Sequence, residues 1–211
     1  MRLTISGRSV LDATVRALRA VPSIGVIVLA LDGIDAGVCL SAIERPAELR
    51  VAVTATRANR WQAIEEALDT EPSLTTVLLH APERPLLAPA SLMALLAAPR
   101  GDGAVLGVAV HETVKRVAGG IVVATIPRET LHAVQAPFVF RREPFAAAVR
   151  RAVEEGWTCR DEVQLARRAG LRLRLVDGPR SNVPIQSALD ARYAELRSMA
   201  GGLGLDAAAA G

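Results

Sequence analysis

Four apolar runs, interspersed with segments of helical spacing, constrain this chain more than anything else in it. "IGVIVLAL" (Ile24–Leu31), "LRVAVT", "TTVLLH" and "GAVLGVAV" read as strands, the continuous β-branched ones as strands covered on both faces. Ser9–Ala20 ahead of the first run, Arg60–Leu68 after the second and Ala90–Ala97 after the third repeat apolar residues at helical intervals. Strand alternating with helix predicts a mostly parallel α/β sheet flanked by helices. With 211 residues and 51% hydrophobic content there is enough for one sizeable domain. Only 3% of residues are aromatic, so the core must be built mainly from Ala, Val, Leu and Ile.

After Val110 the rhythm changes. Two short β-like pieces around Gly119–Gly120 read as a hairpin arm leaving the sheet, over about 111–127. Arg142–Glu155 and Asp161–Ala169 read as helices, "LRLRLVDG" as an edge-side strand, and Ser187–Met199 as a closing helix. Residues 1–199 are therefore expected to form a single domain, and 200–211, small residues with nothing to bury, a mobile tail.

Several function classes drop out on composition. Few aromatics and a net charge of only +3 argue against nucleic-acid binding. No apolar run reaches the length of a membrane span and no signal peptide is visible, so a cytoplasmic protein without a membrane partner is expected. Cys39 and Cys159 have no metal-ligand spacing, and no metal site is read from them. Every basic residue except Lys115 is an arginine.

Ligands of open α/β sheets bind at the carboxyl ends of the strands. That draws the eye to "HAPERP", which follows the third run. Read in order, "GRSVLDATVRAL", "VLLHAPERPLL", "HETVKRV", "AVQAPFVFRR", "TCRDEV" and "DGPRSNVPI" resemble one family. They are similar to the 2-C-methyl-D-erythritol 4-phosphate cytidylyltransferases of the non-mevalonate isoprenoid pathway. The family patterns are GRPLLEHTVRAF, VHDAARP, DTVKRV, AVQTPQGF, TDDA or TDEA, and GDPxNIKITTP.

The resemblance implies a Rossmann-like nucleotidyltransferase fold and a homodimer in which the hairpin arm of one subunit reaches the other's site. It implies attack of a phosphorylated polyol on the α-phosphorus of CTP, assisted by Mg²⁺, with release of pyrophosphate. Such chemistry needs clustered cations, metal and backbone donors around the triphosphate.

Departures from the family pattern are as informative as the matches. The family opens on a Gly-rich loop, AAGxGxR, whose N–H groups cradle the triphosphate. Here "MRLTISGRSV" already lies past that region, and "LTIS" is expected to stand in as the first strand. Whether the native chain begins upstream of Met1 stays open. At the nucleotide position the resemblance marks Arg57, Arg60 and Ala63, the last in place of a base-selecting serine. Surface arginines at a helix N-terminus are the competing reading. The family aspartate expected near metal and substrate is Ala81, and the family lysine is Pro184, which can donate nothing. Substrate contacts implied by retained residues are Arg84, Thr113, Lys115, Arg128 and Asp161. Asp161 reads equally as a helix N-cap, and Thr113 and Lys115 as a solvated hairpin base.

Two functions follow. One is a degenerate cytidylyltransferase-like protein, a pseudoenzyme with little or no activity. The other is an active cytidylyltransferase transferring CMP from CTP to 2-C-methyl-D-erythritol 4-phosphate. A nucleotidyltransferase with another acceptor is less well supported, because Ala136 and Phe138 stand where a hydroxyl and an amide would recognise a polyol.

Overall fold

The structure, a computed structural model, describes residues 3–32, 39, 41, 49–54, 60–98 and 101–201. Its centre is a four-stranded sheet ordered β10-β6-β9-β5, built from β5 (Thr76–Leu79), β6 (Gly103–Ala109), β9 (His132–Arg141) and β10 (Leu173–Asp177). β10 runs parallel to β6, and β9 runs antiparallel to both β6 and β5. Three strands therefore point one way and β9 alone points the other, giving a mixed α/β sheet. A parallel pair, β3 (Ile27–Asp32) and β4 (Leu49–Thr54), forms a separate ladder.

Period-two alternation sorts the side chains onto two faces. Val77 and Leu79 of β5, Val105 of β6, and Phe138 and Phe140 of β9 meet three helices on one face. Those helices are α2 (Arg60–Asp69), α4 (Arg142–Glu154) and α5 (Glu162–Arg168). Leu78, Ala104, Leu106 and Val139 point to the other face, against α1 (Val10–Arg19) and α3 (Pro89–Ala97), where Ile27 and Leu29 of β3 join them. Each helix keeps its own stop and start. Ser9 Oγ accepts from Asp12 N (3.0 Å) at the head of α1, and Pro89 stands at the first turn of α3, where its missing N–H is no loss.

The long strand β9 is the element that the sequence reading passes over. Pro137 interrupts its run, and proline is tolerated in a central strand only where no ladder bond is needed. The register shows how: Val105 pairs with Phe138 and Leu106 with Gln135, so Ala136 and Pro137 are looped out as a bulge. Gly103 on β6 is held as glycine by this strand, since a Cβ there would sit 2.5 Å from Val139 O.

"LTIS" does not act as a first strand of the sheet. β1 (Thr4–Ile5) pairs antiparallel with β2 (Arg8–Ser9) in a ladder of two residue pairs. Its Ile5 packs on the closing helix α6 (Ala188–Gly201), with Ile185, Ala191 and Ala194. Ser6 and Gly7 between the two strands both take positive φ (50° and 77°), a two-residue reversal that folds β1 back on β2, from which the chain passes directly into α1.

The hairpin is observed as β7 (Val114–Ala118) and β8 (Ile121–Ile126), pairing only with each other. Gly119 and Gly120, at φ 55° and 80°, make the turn that only positive φ allows. Among the described residues, no helix is long and apolar enough to cross a membrane.

Candidate functional site

The carboxyl ends of β5, β6 and β10 come together with the beginning of β9, because His132 pairs with Ala109 at the end of β6. The "HAPERP" turn leaves β5 here and is fastened on three sides. Thr14 Oγ1 of α1 donates to Pro82 O (2.6 Å), with Val10 O 2.9 Å away. Ile185 N donates to Glu83 O (2.7 Å), and the Arg84 guanidinium donates to Asn182 O. Its own backbone closes the turn, Arg84 N donating to Ala81 O (3.1 Å). The turn is thus a rigid rim, and Arg84 is its cation. Burial pulls the Arg84 guanidinium below its usual value while Glu83 beside it acts the other way. It remains charged at neutral pH.

His80 stands at the base of the rim. Its Nε2 lies 2.9 Å from Arg84 O, an acceptor, so Nε2 carries the proton and Nδ1 is a bare acceptor. Nδ1 is buried and meets no donor. Burial is the main cause that lowers the His80 pKa from 6.5, so the folded protein disfavours the imidazolium. Because the unfolded chain binds that proton more readily, stability is full above about pH 6.5 and falls as pH drops through and below it. Melting temperatures measured from pH 7.5 to 5 are expected to decline, and His80→Asn to flatten that decline. An unchanged slope in the variant would show that His80 does not carry it.

Asn182 is the second pillar. It is fully buried, its Nδ2 donates to Ala136 O (2.8 Å) and lies 3.5 Å from Gln135 Oε1, and its Oδ1 is a buried acceptor without a donor. Gln135 Nε2 in turn donates to Pro179 O (3.3 Å). The loop after β10 is therefore tied to the bulge of β9 by two amides.

The other residues marked by the sequence are placed as follows. Arg128 is exposed, and its guanidinium donates to His111 O, bracing the base of the hairpin. Thr113 is exposed at the same base, and Lys115 Nζ donates across the hairpin to Thr125 Oγ1 (2.6 Å). Asp161 caps α5, its Oδ1 accepting from Gln164 N (2.8 Å). Ala81 packs against the first core cluster, and Pro184 is half-buried in the loop before α6. Arg57 lies outside the described residues. Ala63 is half-buried on α2, and Arg60, at the start of α2, pairs with the buried Glu162 of α5. Glu162 Oε2 has no partner. Arg84, Arg128 and Thr113 belong to the carboxyl edge, whereas Arg60 reaches Glu162, the residue after the cap Asp161, at the first turns of α2 and α5.

The sequence profile of the 2-C-methyl-D-erythritol 4-phosphate cytidylyltransferase family matches residues 1–198. The chain belongs to this family. A cytidylyltransferase of that name from Acidobacterium capsulatum is 33% identical over 204 residues, covering 91% of this chain and 84% of the relative. One from Aeromonas hydrophila is also 33% identical, covering 92% of this chain and 79% of the relative. Among solved structures, 4-diphosphocytidyl-2C-methyl-D-erythritol synthase from Anaerococcus prevotii superposes with a TM-score of 0.81 at 21% identity, covering 93% of this chain and 88% of that one. The cytidylyltransferase from Thermus thermophilus superposes with a TM-score of 0.74 at 26% identity, covering 93% and 92%.

The cytidylyltransferase family implies Mg²⁺, and the donor set can be tested for it. Mg²⁺ keeps several waters and takes one or two carboxylates together with substrate phosphates. No group of three or more His, Cys, Asp or Glu side chains converges among the described residues, and Ala81 stands at the family's aspartate. The carboxylate that the family would place beside the ion is missing at that position.

Sequence reasoning singled out Arg84 and Arg128 but missed Asn182, Gln135 and Glu162. Nothing local marks these three. Each becomes important only because a residue about 46 to 102 positions away in the chain turns toward it.

Proposed function

We propose that this chain is a cytidylyltransferase-like protein with a degenerate CTP site, a pseudoenzyme of the cytoplasm with little or no transfer activity. It keeps a rim able to hold the phosphate of a phosphorylated polyol through Arg84 and Arg128. One observation carries the reading. At the two positions where the family places an aspartate and a lysine stand Ala81 and Pro184, and the chain's single lysine, Lys115, lies on the hairpin bonded to Thr125. A triphosphate in reaction needs its developing charge met by placed cations, and removing one such group costs on the order of 10²–10³ in rate.

The alternative, an active enzyme transferring CMP from CTP to 2-C-methyl-D-erythritol 4-phosphate with Mg²⁺, is favoured by a different observation. The "TVKR" stretch with Thr113, Lys115 and Arg116 is intact, and relatives bearing that enzyme's name are 33% identical over nine-tenths of the chain. Either reading includes a homodimer through the hairpin, supported by Val117, Ile121, Val122 and Val123, which are all more than half exposed there.

Titration calorimetry with CTP and Mg²⁺, alongside a pyrophosphate-release assay on the 211-residue chain, separates the two. The degenerate reading expects no binding at micromolar CTP and pyrophosphate release at least about 10²-fold below a relative assayed in parallel. Micromolar CTP affinity, or turnover in the ordinary range of about 1–10³ per second, would establish the active enzyme instead.

A further inference from the structure

The loop after β10 has no cation at Pro184, but Arg180 lies four residues earlier on the same loop. That loop is pinned along its length. Gly178 N donates to Gly107 O (2.9 Å), and Gln135 Nε2 donates to Pro179 O (3.3 Å). Asn182 N donates to the same Pro179 O (3.1 Å), closing a four-residue turn with Arg180 and Ser181 at its two central positions. Asn182 O in turn accepts from the Arg84 guanidinium. Arg180 therefore leaves the chain two residues from the carbonyl that holds Arg84, its Cα within about 7 Å of the Asn182 Cα.

The turn presents a set of open donors. Arg180 is exposed and makes no ion pair or side-chain hydrogen bond among the described residues, although Asp177 is only three residues away. Ser181 is half-buried, and its hydroxyl meets no acceptor among the described residues. The backbone N–H groups of Arg180 and Ser181 are also unpaired there. Consecutive N–H groups in a turn make a concavity that favours an anion. Arg84 is already partly committed. One nitrogen is on Asn182 O, and Glu83 beside it offsets its charge. Its other N–H groups are neither bonded nor buried. A phosphate monoester carries about −1.5 to −2 at neutral pH, more than an offset guanidinium balances.

We propose that Arg180, with the Ser181 hydroxyl and the N–H groups of their turn, forms the second half of a phosphate-monoester site whose first half is Arg84. The positive charge absent at Pro184 is thus supplied from another position of the same loop. This rests on the reading that the rim holds the phosphate of a phosphorylated polyol, and it adds the residues that complete the grip. Two planar guanidiniums match the oxygens of one phosphate group by paired N–H donors. A triphosphate would leave much of its charge unmatched here, so the site selects the monoester.

Inorganic phosphate and glycerol 3-phosphate, titrated by calorimetry at low salt, test this on the full chain. Arg180→Ala changes an exposed side chain and leaves every bond that pins the loop, so its far-UV circular dichroism spectrum should match the parent's. It is expected to weaken both probes about tenfold, the cost of one charge-assisted hydrogen bond. Arg180→Lys, which keeps the charge but not the fork, is expected to recover part of that loss, and Ser181→Ala to weaken binding about threefold. Arg84→Ala tests the underlying reading separately. If Arg84→Ala loses the probes while Arg180→Ala binds them as the parent does, the rim holds phosphate without Arg180 and the inference is overturned alone. If the parent takes up neither probe, or Arg84→Ala binds them unchanged, the reading of the rim fails and the inference falls with it.

Discussion

Phe145→Ala is expected to destabilise the fold by about 3–5 kcal/mol. Phe145 on α4 is fully buried and stacks on Phe140 of β9, ring centroids 4.1 Å apart and planes 14° apart. Phe140 is equally inaccessible, so the pair forms the joint between the central antiparallel strand and the helix that covers it. Truncation removes the transfer energy of the ring and also leaves a void. The neighbours cannot collapse into it. Ala146 and Ala148 lie on the same rigid helix and have no atoms to contribute. Trp61, Phe138 and Trp157 share the cluster but are themselves buried in it, so filling the space would unpack them elsewhere. A domain of this size is stable by roughly 5–15 kcal/mol, so the variant should sit near its folding threshold. Urea unfolding followed by circular dichroism measures the loss, and Phe145→Leu, which keeps much of the volume, should recover a good part of it. A loss below about 1 kcal/mol would mean that the stacked pair is not the joint it is taken for.

Asn182→Ala should cost about 1–3 kcal/mol and disturb the rim as well. Its amide is the donor to Ala136 O inside the bulge of β9, and the whole residue is inaccessible to water. Without it a buried carbonyl loses its donor, and no water reaches the place to compensate. The loop from Pro179 to Pro184 also loses its main tether, and with it the backbone carbonyl that holds the Arg84 guanidinium. Inorganic phosphate titrated by NMR is a direct probe. Arg-borne shifts seen in the parent protein should weaken in Asn182→Ala at a temperature where both remain folded. Asn182→Asp makes the discrimination sharper, because it keeps the shape but swaps the donor for a second acceptor facing Ala136 O. If it binds phosphate as the parent does, the loop does not position Arg84.

The hydrophobic pattern made most of the architecture legible. Helices α1 to α6 and the strands β3 to β6, β10 and the hairpin all carry their period in local residue types, and each ends within a few residues of where spacing and caps put it. What escaped was β9, because Pro137 in its middle reads as a strand breaker until the bulge opposite Val105 and Leu106 is seen. "LTIS" was the reverse case, a strand-like tetrapeptide whose tight Ser6–Gly7 turn folds it back on Arg8 and Ser9.

The rim was half legible. Resemblance pointed to Arg84, and position at a strand end pointed to His80. Their partners could not be read, because a hydrogen bond between Arg84 and Asn182 O, or between Asn182 and Ala136 O, joins residues 98 and 46 apart in the chain. The same distance hid the pairing of Arg60 with Glu162 and the seating of α6, whose composition shows two apolar faces without saying which one the domain covers. By itself the order of residues determined the family, the alternation of strand and helix, and the missing aspartate and lysine, since these are local chemistry and local period. Tertiary structure decided which strand runs backward, which polar groups are buried together, and which face of α6 meets solvent. Those depend on the contacts between distant segments that packing alone brings about.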